Sequence, residues 1–326
     1  MKRITFAAIL TVAVLSLAIL AGCGAKSGSA GAPAGVEQPS AAEQPSAPEQ
    51  PSAAEQPSAP EQPSAAEQSS AAEQPSAPEQ PSAAEDGSIS VRSVLELTEA
   101  IRPGAKLVIE PGRYNLTDFL GAFSDEQACS AWNESHQYVQ IIPVYDGVEL
   151  EIRDVSGLSI RGGSERTSGT ELVVEPRNAA VLHFLDCSDI SLEGITMGHT
   201  ETGACNGNVL DFMGCSRVSL RAMDLYGCGV YGVCVSEGST WLSVSDSVIR
   251  DCSAGPFMIV DAPEGEFRFT DCSFTGSAEG GYYGFWGTSS LTFLRCAFGK
   301  EETDRWRWDD TAVFEDCIWT ESPAEG

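Results

Sequence analysis

The chain predicts an all-β fold, a right-handed parallel β-helix solenoid with an N-terminal capping helix, and three observations carry that prediction. The segment VLHFLDCSDISLEGITM (residues 181–197) aligns position by position with VLDFMGCSRVSLRAMDL (209–225) across a 28-residue offset. Shorter copies follow: from Val218, the next starts are LSVSDSVI at Leu242, FRFTDCSF at Phe267, LTFLRCAF at Leu291 and AVFEDCIW at Ala312, spaced by 24, 25, 24 and 21 residues. An earlier copy, EIRDVSGLSI, ends at Ile160. Repeats of this length build solenoids, in which a unit buries its apolar side chains only against its neighbours. Within the eight-residue units the first, third, sixth and eighth places are mostly apolar, as in Ile190, Leu192, Ile195 and Met197. Alternation specifies strands, and the break of phase at places four and five specifies a bend.

The elements follow in order. Residues 1–22 have the charged start (Lys2, Arg3), uncharged apolar centre and small-residue end of an export signal, closing on Leu20-Ala21-Gly22-Cys23. Residues 23–87 change character: 37–84 are eight hexapeptides of the form EQPSA plus Ala or Pro, with one Ser69-Ser70 variant. Such a stretch has too little apolar surface to offset the entropy of ordering, so a disordered tether is expected. At ~3.1 Å per residue, polyproline II extension would span on the order of 150 Å. Residues 88–326 form the β-helix domain, long enough for one sizeable core. Helical spacing in Ser93–Ile101, ended by Pro103-Gly104, places a cap on the first coil. KLVIEPGRYNL then makes the first turn. Leu182, Phe184, Leu210 and Phe212 supply the third strand of their coils, and in the next copy a one-residue slip turns Val233 and Val235 inward.

Charge limits the partners. The chain carries −28, and removing the leader (+2) and the linker (−9) leaves −21 on residues 88–326, where Lys106 and Lys300 are the only lysines. A surface of that sign cannot neutralise phosphates, which excludes nucleic acid and anionic membrane as partners of the domain. Neutral glycans, cations or basic surfaces remain. A calcium ion is compatible with the charge, but no ligand set can be named.

Cysteines divide by position. Cys272, Cys296 and Cys317 share one inward place in consecutive coils, as Cys187 and Cys215 do in two others. Stacked side chains about 4.8 Å apart and parallel do not suit a disulfide, so these are expected as buried free thiols. Cys129, Cys205 and Cys228 lie in loop-like segments, and a Cys129–Cys205 bridge is the pairing expected for an exported protein.

Three resemblances add to this reading. The Leu-Ala-Gly-Cys box is similar to a bacterial lipoprotein signal, which implies cleavage before Cys23, lipid attachment to its sulfur and a place in the bacterial cell envelope on the extracytoplasmic side. Residues 88–116 resemble the opening of pectate-lyase-like β-helix proteins. Roughly residues 150–260, with Gly198-His199-Thr200, Gly203-Ala204-Cys205 and Leu225-Tyr226-Gly227-Cys228-Gly229, resemble uncharacterised bacterial right-handed β-helix lipoproteins. That likeness implies a fold and an exported location and carries no established activity.

Two clusters are candidate sites. His199, Glu201 and Tyr226 flank consecutive strand-to-loop transitions, and a His beside a Glu is suited to acid–base work, although such a histidine also serves simply to hold a turn. Tyr282, Tyr283, Trp286, Trp306 and Trp308 crowd the last coils, either as a platform for sugar rings or as a packed cap. Asp309-Asp310 superficially resembles the paired aspartates of polygalacturonases and is read as a surface pair. No catalytic set or metal site is otherwise evident. The expected function is therefore non-catalytic binding of a cell-surface or extracellular polysaccharide by a lipid-anchored β-helix. The alternatives are a polysaccharide lyase or glycoside hydrolase centred on His199, and a structural adhesin contacting protein partners.

Overall fold

A strand with alternating apolar residues has one inward face, and a coil closes only where the chain turns a corner without burying unpaired backbone groups. The computed structural model describes residues 87–164, 166–201, 203, 206–227, 230–262, 264–276, 283–286, 290–299, 306–307 and 312–320. These belong to one compact unit, Glu73–Gly326. The corner falls at the fifth place of the repeated unit. Gly194, Ala222, Asp246, Asp271, Arg295 and Asp316 occupy it, all with φ between 50° and 66°. Aspartate tolerates this left-handed conformation better than most residues because its short carboxylate bonds locally, and glycine has no Cβ to clash.

The coils stack in register as three sheets. The first has nine parallel strands, in the order Ile89–Val91, Lys106–Ile109, Ser159–Gly162, Ser188–Glu193, Ser216–Arg221, Trp241–Ser245, Glu266–Thr270, Ser290–Leu294 and Ala312–Glu315. The second has eight: Gly112–Asn115, Thr170–Val174, Thr196–His199, Asp224–Tyr226, Val248–Arg250, Ser273–Thr275, Ala297–Gly299 and Ile318–Thr320. The third opens with an antiparallel pair, Val139–Val144 and Gly147–Arg153. It continues in parallel through Leu182–Leu185, Leu210–Met213, Tyr231–Ser236, Gly255–Val260, Tyr283–Trp286 and Trp306–Arg307. The fold is thus the expected parallel β-helix. The slip also holds: Val233 and Val235 pair with Leu210 and Phe212, and both are buried.

Registered stacking produces columns of like residues. Phe269, Phe293 and Phe314 stack at 5.2 and 5.0 Å between ring centroids, and Phe274 stacks on Phe298 at 5.0 Å. Each fully buried Phe contributes about 1.5–3 kcal/mol of transfer free energy. Corner cysteines have a second role. Each thiol follows a left-handed residue or glycine and faces two carbonyls, one two residues back and one on the previous coil. Cys272 meets Thr270 O (3.3 Å) and Val244 O (3.5 Å), and Cys215 meets Met213 O and Phe184 O, both at 3.4 Å. Ser239 acts similarly with its hydroxyl, to Ser236 O three residues back (2.7 Å) and to Phe212 O on the previous coil (3.2 Å). The ladder cysteines are free, as expected, and they supply weak donors where the backbone ladder breaks.

The cap is α1 (Val94–Ala100), started by Ser93, whose Oγ accepts from Glu96 N at 3.1 Å, and it buries Val94, Leu97 and Ala100 on the core. Sequence periodicity did not disclose α2 (Leu116–Leu120), α3 (Glu126–Ser135) or the antiparallel pair that follows them. In α3 only Cys129 is buried, so there is little apolar stripe to find. The insertion is held by Trp132, which meets Phe119 and Phe123 edge-on and stacks on His136 at 3.5 Å.

Ala222 is the corner residue with neither glycine's freedom nor a polar side chain. Ala222→Gly is expected to raise stability by about 0.5–1 kcal/mol in urea unfolding. Phe293→Ala should lower it by about 3–5 kcal/mol, since it interrupts a continuous aromatic column.

Candidate binding face

The outer side of the first sheet is a flat polar surface with one large aromatic on it. Outward places fall between the buried Val218, Leu220, Leu242, Val244, Phe267 and Phe269. Ser191, Ser219, Ser243, Arg268 and Thr292 are successive register partners and form one outward column. Trp241 pairs with Glu266 in the adjoining column and is 50% exposed. It forms the shared wall of two shallow clefts. One, of about 560 Å³, is lined by Arg217, Thr240, Trp241, Glu264 and Gly265. The other, of about 330 Å³, adds Ser219, Ser243, Glu266 and Arg268 to Arg217 and Trp241. Gly265 has φ +145°, and a methyl group there would fall on the Thr240 carbonyl, so the first cleft depends on glycine at this place.

The guanidiniums in and around the clefts are already matched. Arg217 forks onto Asp189 at 2.6 and 2.7 Å, Arg295 onto Asp271 at 2.7 and 2.5 Å, Arg268 bonds Glu266 at 2.7 and 3.1 Å, and Arg221 pairs with Glu193. Hydrogen bonds from Arg217 and Arg295 hold the Asp189 and Asp271 carboxyls below their usual range. The surface therefore offers many donors and acceptors with little uncompensated positive charge.

The His199, Glu201 and Tyr226 side chains have separate surroundings. His199 is buried, and its Nε2–H donates to the Ala179 carbonyl at 2.8 Å. Burial lowers its pKa, more than offsetting that bond and the charge of Asp146. Glu201 is exposed. Tyr226 turns elsewhere: its ring lies across Gly198, its hydroxyl donates to Glu171 at 2.6 Å, and Arg250 stands 4.8 Å over the ring. Burial first, then the Glu171 bond, pushes its pKa up to about 12. The His199 imidazole and the Tyr226 hydroxyl thus have separate partners, Ala179 and Glu171. Cys129 is a buried free thiol facing the Phe123 carbonyl at 3.7 Å. Cys205, the bridge partner expected for it, lies outside the described residues, as do Cys23, Tyr282, Trp308, Asp309 and Asp310. Tyr283 and Trp306 are backbone partners on adjacent strands, and Trp286 pairs with Val260, with their side chains likewise outside the description.

Sequence reasoning missed two groups. Trp241 precedes the inward Leu242, so alternation alone turns it outward. On the third sheet, Glu151, His183, Asp211 and Cys234 are register partners in consecutive coils, an outward column of ionisable groups. Burial raises the Asp211 pKa, and burial followed by the charge of Asp211 pushes the Cys234 thiol strongly up, so that thiol is not a ready nucleophile. Among the described residues, no group of three or more His, Cys, Asp or Glu is arranged to hold a metal ion.

No protein-family model and no curated protein sequence matches the chain. Among solved structures it is similar to a candidate glycosyl hydrolase from Parabacteroides merdae, at 15% identity over 57% of this chain and 96% of that one, with a TM-score of 0.29. It is also similar to a pectin methylesterase in complex with a hexasaccharide, at 9% identity over 75% of this chain and 90% of that one, with a TM-score of 0.36. Likeness at this level brings no substrate or mechanism to this chain.

Gly198→Ala would put a methyl group 2.5 Å from the Tyr226 carbonyl oxygen and 2.8 Å from its ring, so both the backbone and the ring of Tyr226 must shift. The variant is expected to break the Tyr226–Glu171 bond and bring the Tyr226 titration down from about 12, read by ultraviolet phenolate absorbance.

Proposed function

We propose that the β-helix binds a neutral polysaccharide along the outer face of its first sheet and does so without cleaving it. The observation that carries this is Trp241, a half-exposed indole between two clefts on a flat, hydroxyl-lined surface. An indole face suits the apolar face of a sugar ring, while serine hydroxyls and paired Arg–carboxylate groups suit its hydroxyls. Matched guanidiniums and a chain charge of −28 disfavour polyuronates. In this reading Cys23 carries the lipid anchor, the EQPSA linker spans the bacterial cell envelope, and the domain meets its glycan on the extracytoplasmic side. A lyase or hydrolase centred on His199 is less well supported, because that imidazole is buried and committed to a backbone carbonyl.

Affinity electrophoresis in gels containing neutral glucans, mannans or xylans, with polygalacturonate as the charged control and with or without calcium, tests the proposal. Trp241→Ala should weaken retention five- to tenfold, roughly 1–1.4 kcal/mol, without moving the unfolding midpoint. Migration unaffected by every neutral polymer, or retention indifferent to Trp241→Ala, would count against it. New reducing ends or unsaturated products would make the domain an enzyme.

A further inference from the structure

The segment 175–181 runs from the second-sheet strand Thr170–Val174 to the third-sheet strand Leu182–Leu185. One peptide group in it is gripped at both ends. The carbonyl of Ala179 accepts the His199 Nε2–H at 2.8 Å, and the N–H of the same peptide, on Ala180, donates to Glu149 Oε2 at 2.9 Å. The other Glu149 oxygen faces His183 Nδ1 at 3.0 Å.

The two histidines need opposite charge states. His183 meets acceptors at both nitrogens: Glu149 Oε1 at Nδ1 and the Met213 thioether sulfur, 3.2 Å away, at Nε2. Only an imidazolium donates to both. Carboxylates face it from the strands on both sides. Glu149 and Glu151 (3.9 Å) are on one side and Asp211, its register partner, on the other, with Cys234 beyond. Arg153, 3.1 Å from Glu151, is the other cation in the group. His199 is the reverse. Its Nδ1 is buried and has no partner, so a second proton there would be a desolvated charge without an acceptor. Asp146 in the hairpin turn is the acid that bears on it, and Asp146 is itself committed to the amides of Arg177 and Asn178 at 2.8 and 3.1 Å.

We propose that the 179–180 peptide is a pH-dependent latch, held at its carbonyl by neutral His199 and at its amide by Glu149 that charged His183 keeps in place. Both ends of that peptide are then held only in a window around neutrality, while the Arg177 and Asn178 amides stay on Asp146 and the Glu175 amide on Thr117 Oγ1. Supporting shifts run in the required directions. The carboxylates raise His183 against the lowering effect of its burial, and burial lowers His199. A raised histidine stabilises the fold below its unfolded value of about 6.5 and loses that contribution as pH rises through the folded value. A depressed one contributes above about 6.5 and loses it as pH falls through the folded value. Both limbs act on one peptide, and Pro176 of the same segment walls a cleft of about 330 Å³ with Thr117, Leu120, Phe123 and Val148.

Hydrogen exchange of the full chain at about pH 5, 7 and 9, corrected for intrinsic rates and read on peptides covering 176–182, tests the latch. Protection should peak near pH 7 and fall severalfold at each extreme. His199→Gln, which still donates and cannot titrate, should remove the acid limb alone. His183→Gln should remove the alkaline limb alone. Equal protection at all three pH values, or both limbs persisting in both variants, would overturn the proposal. Side-chain NMR of the unaltered histidines is an independent measurement of the same charge states. A neutral His183 near pH 7, or a His199 that titrates near the ordinary value of about 6.5, would also overturn it.

Discussion

Everything in this fold depends on the corner at which each coil turns. A solenoid coil has no core of its own, and its apolar residues are buried only because the next coil repeats them at the same height. That repetition requires the chain to bend at the same place in every coil while leaving no buried carbonyl unpaired. The left-handed residue makes the bend, and where a Cys or Ser follows it, that side chain supplies a donor to a carbonyl that the broken ladder exposes. Met223 N, for instance, donates to Ser247 Oγ at 3.0 Å, and that hydroxyl donates to Ser245 O at 2.7 Å. Where the corner residues of adjacent coils are Asp and Arg, the same stacking gives a forked ion pair, as between Asp271 and Arg295. Such exposed pairs contribute little stability each. They do fix the polarity of the outer surface.

This constraint also explains what was legible in the amino-acid sequence. Inward columns and corners repeat, so the bend, the thiol ladder and the slip at Val233 were readable from spacing. Outward residues are free of that constraint and carry no periodic signal, so functional candidates among them are harder to find. Clusters rich in aromatic residues or in motif-like strings stand out in a sequence whether or not their side chains converge. The His199 group shares a stretch of chain, yet its side chains diverge, because His199 lies buried against Ala179 while Tyr226 crosses Gly198 toward Glu171. Trp241 was recoverable, since the residue before an inward Leu242 must face out. His183 and Asp211 already stood opposite each other in the 28-residue alignment. Glu151 opens the earlier copy EIRDVSGLSI and so stood opposite His183 as well, whereas Glu149 precedes that copy and was not reached by the alignment.

The insertion between the first coil and the repeat therefore matters beyond capping. Residues 116–153 replace one regular passage of the chain with α2, α3 and an antiparallel strand pair, and this brings Glu149 and Glu151 alongside His183. On a regular coil those places would be free to vary. Here they are fixed from below by Leu150 and Ile152, both fully buried, so the carboxylates are held outward on a rigid strand.

Two outer faces thus differ for a physical reason. On the first sheet Arg217, Arg221, Arg268 and Arg295 each meet a carboxylate within the exposed surface, where water screens both, and the result is an even, hydrogen-bonding plane around one indole. On the third sheet three carboxylates meet one imidazole and one guanidinium under a covering strap, where desolvation makes every proton costly to move. The first arrangement is insensitive to pH near neutrality and suits reversible contact with a long uncharged chain. The second couples protonation to the position of a peptide group. Since Trp241 and Cys234 belong to one coil, joined by the corner at Glu237 and Gly238, a rigid solenoid can present both faces at once without either disturbing the core they share.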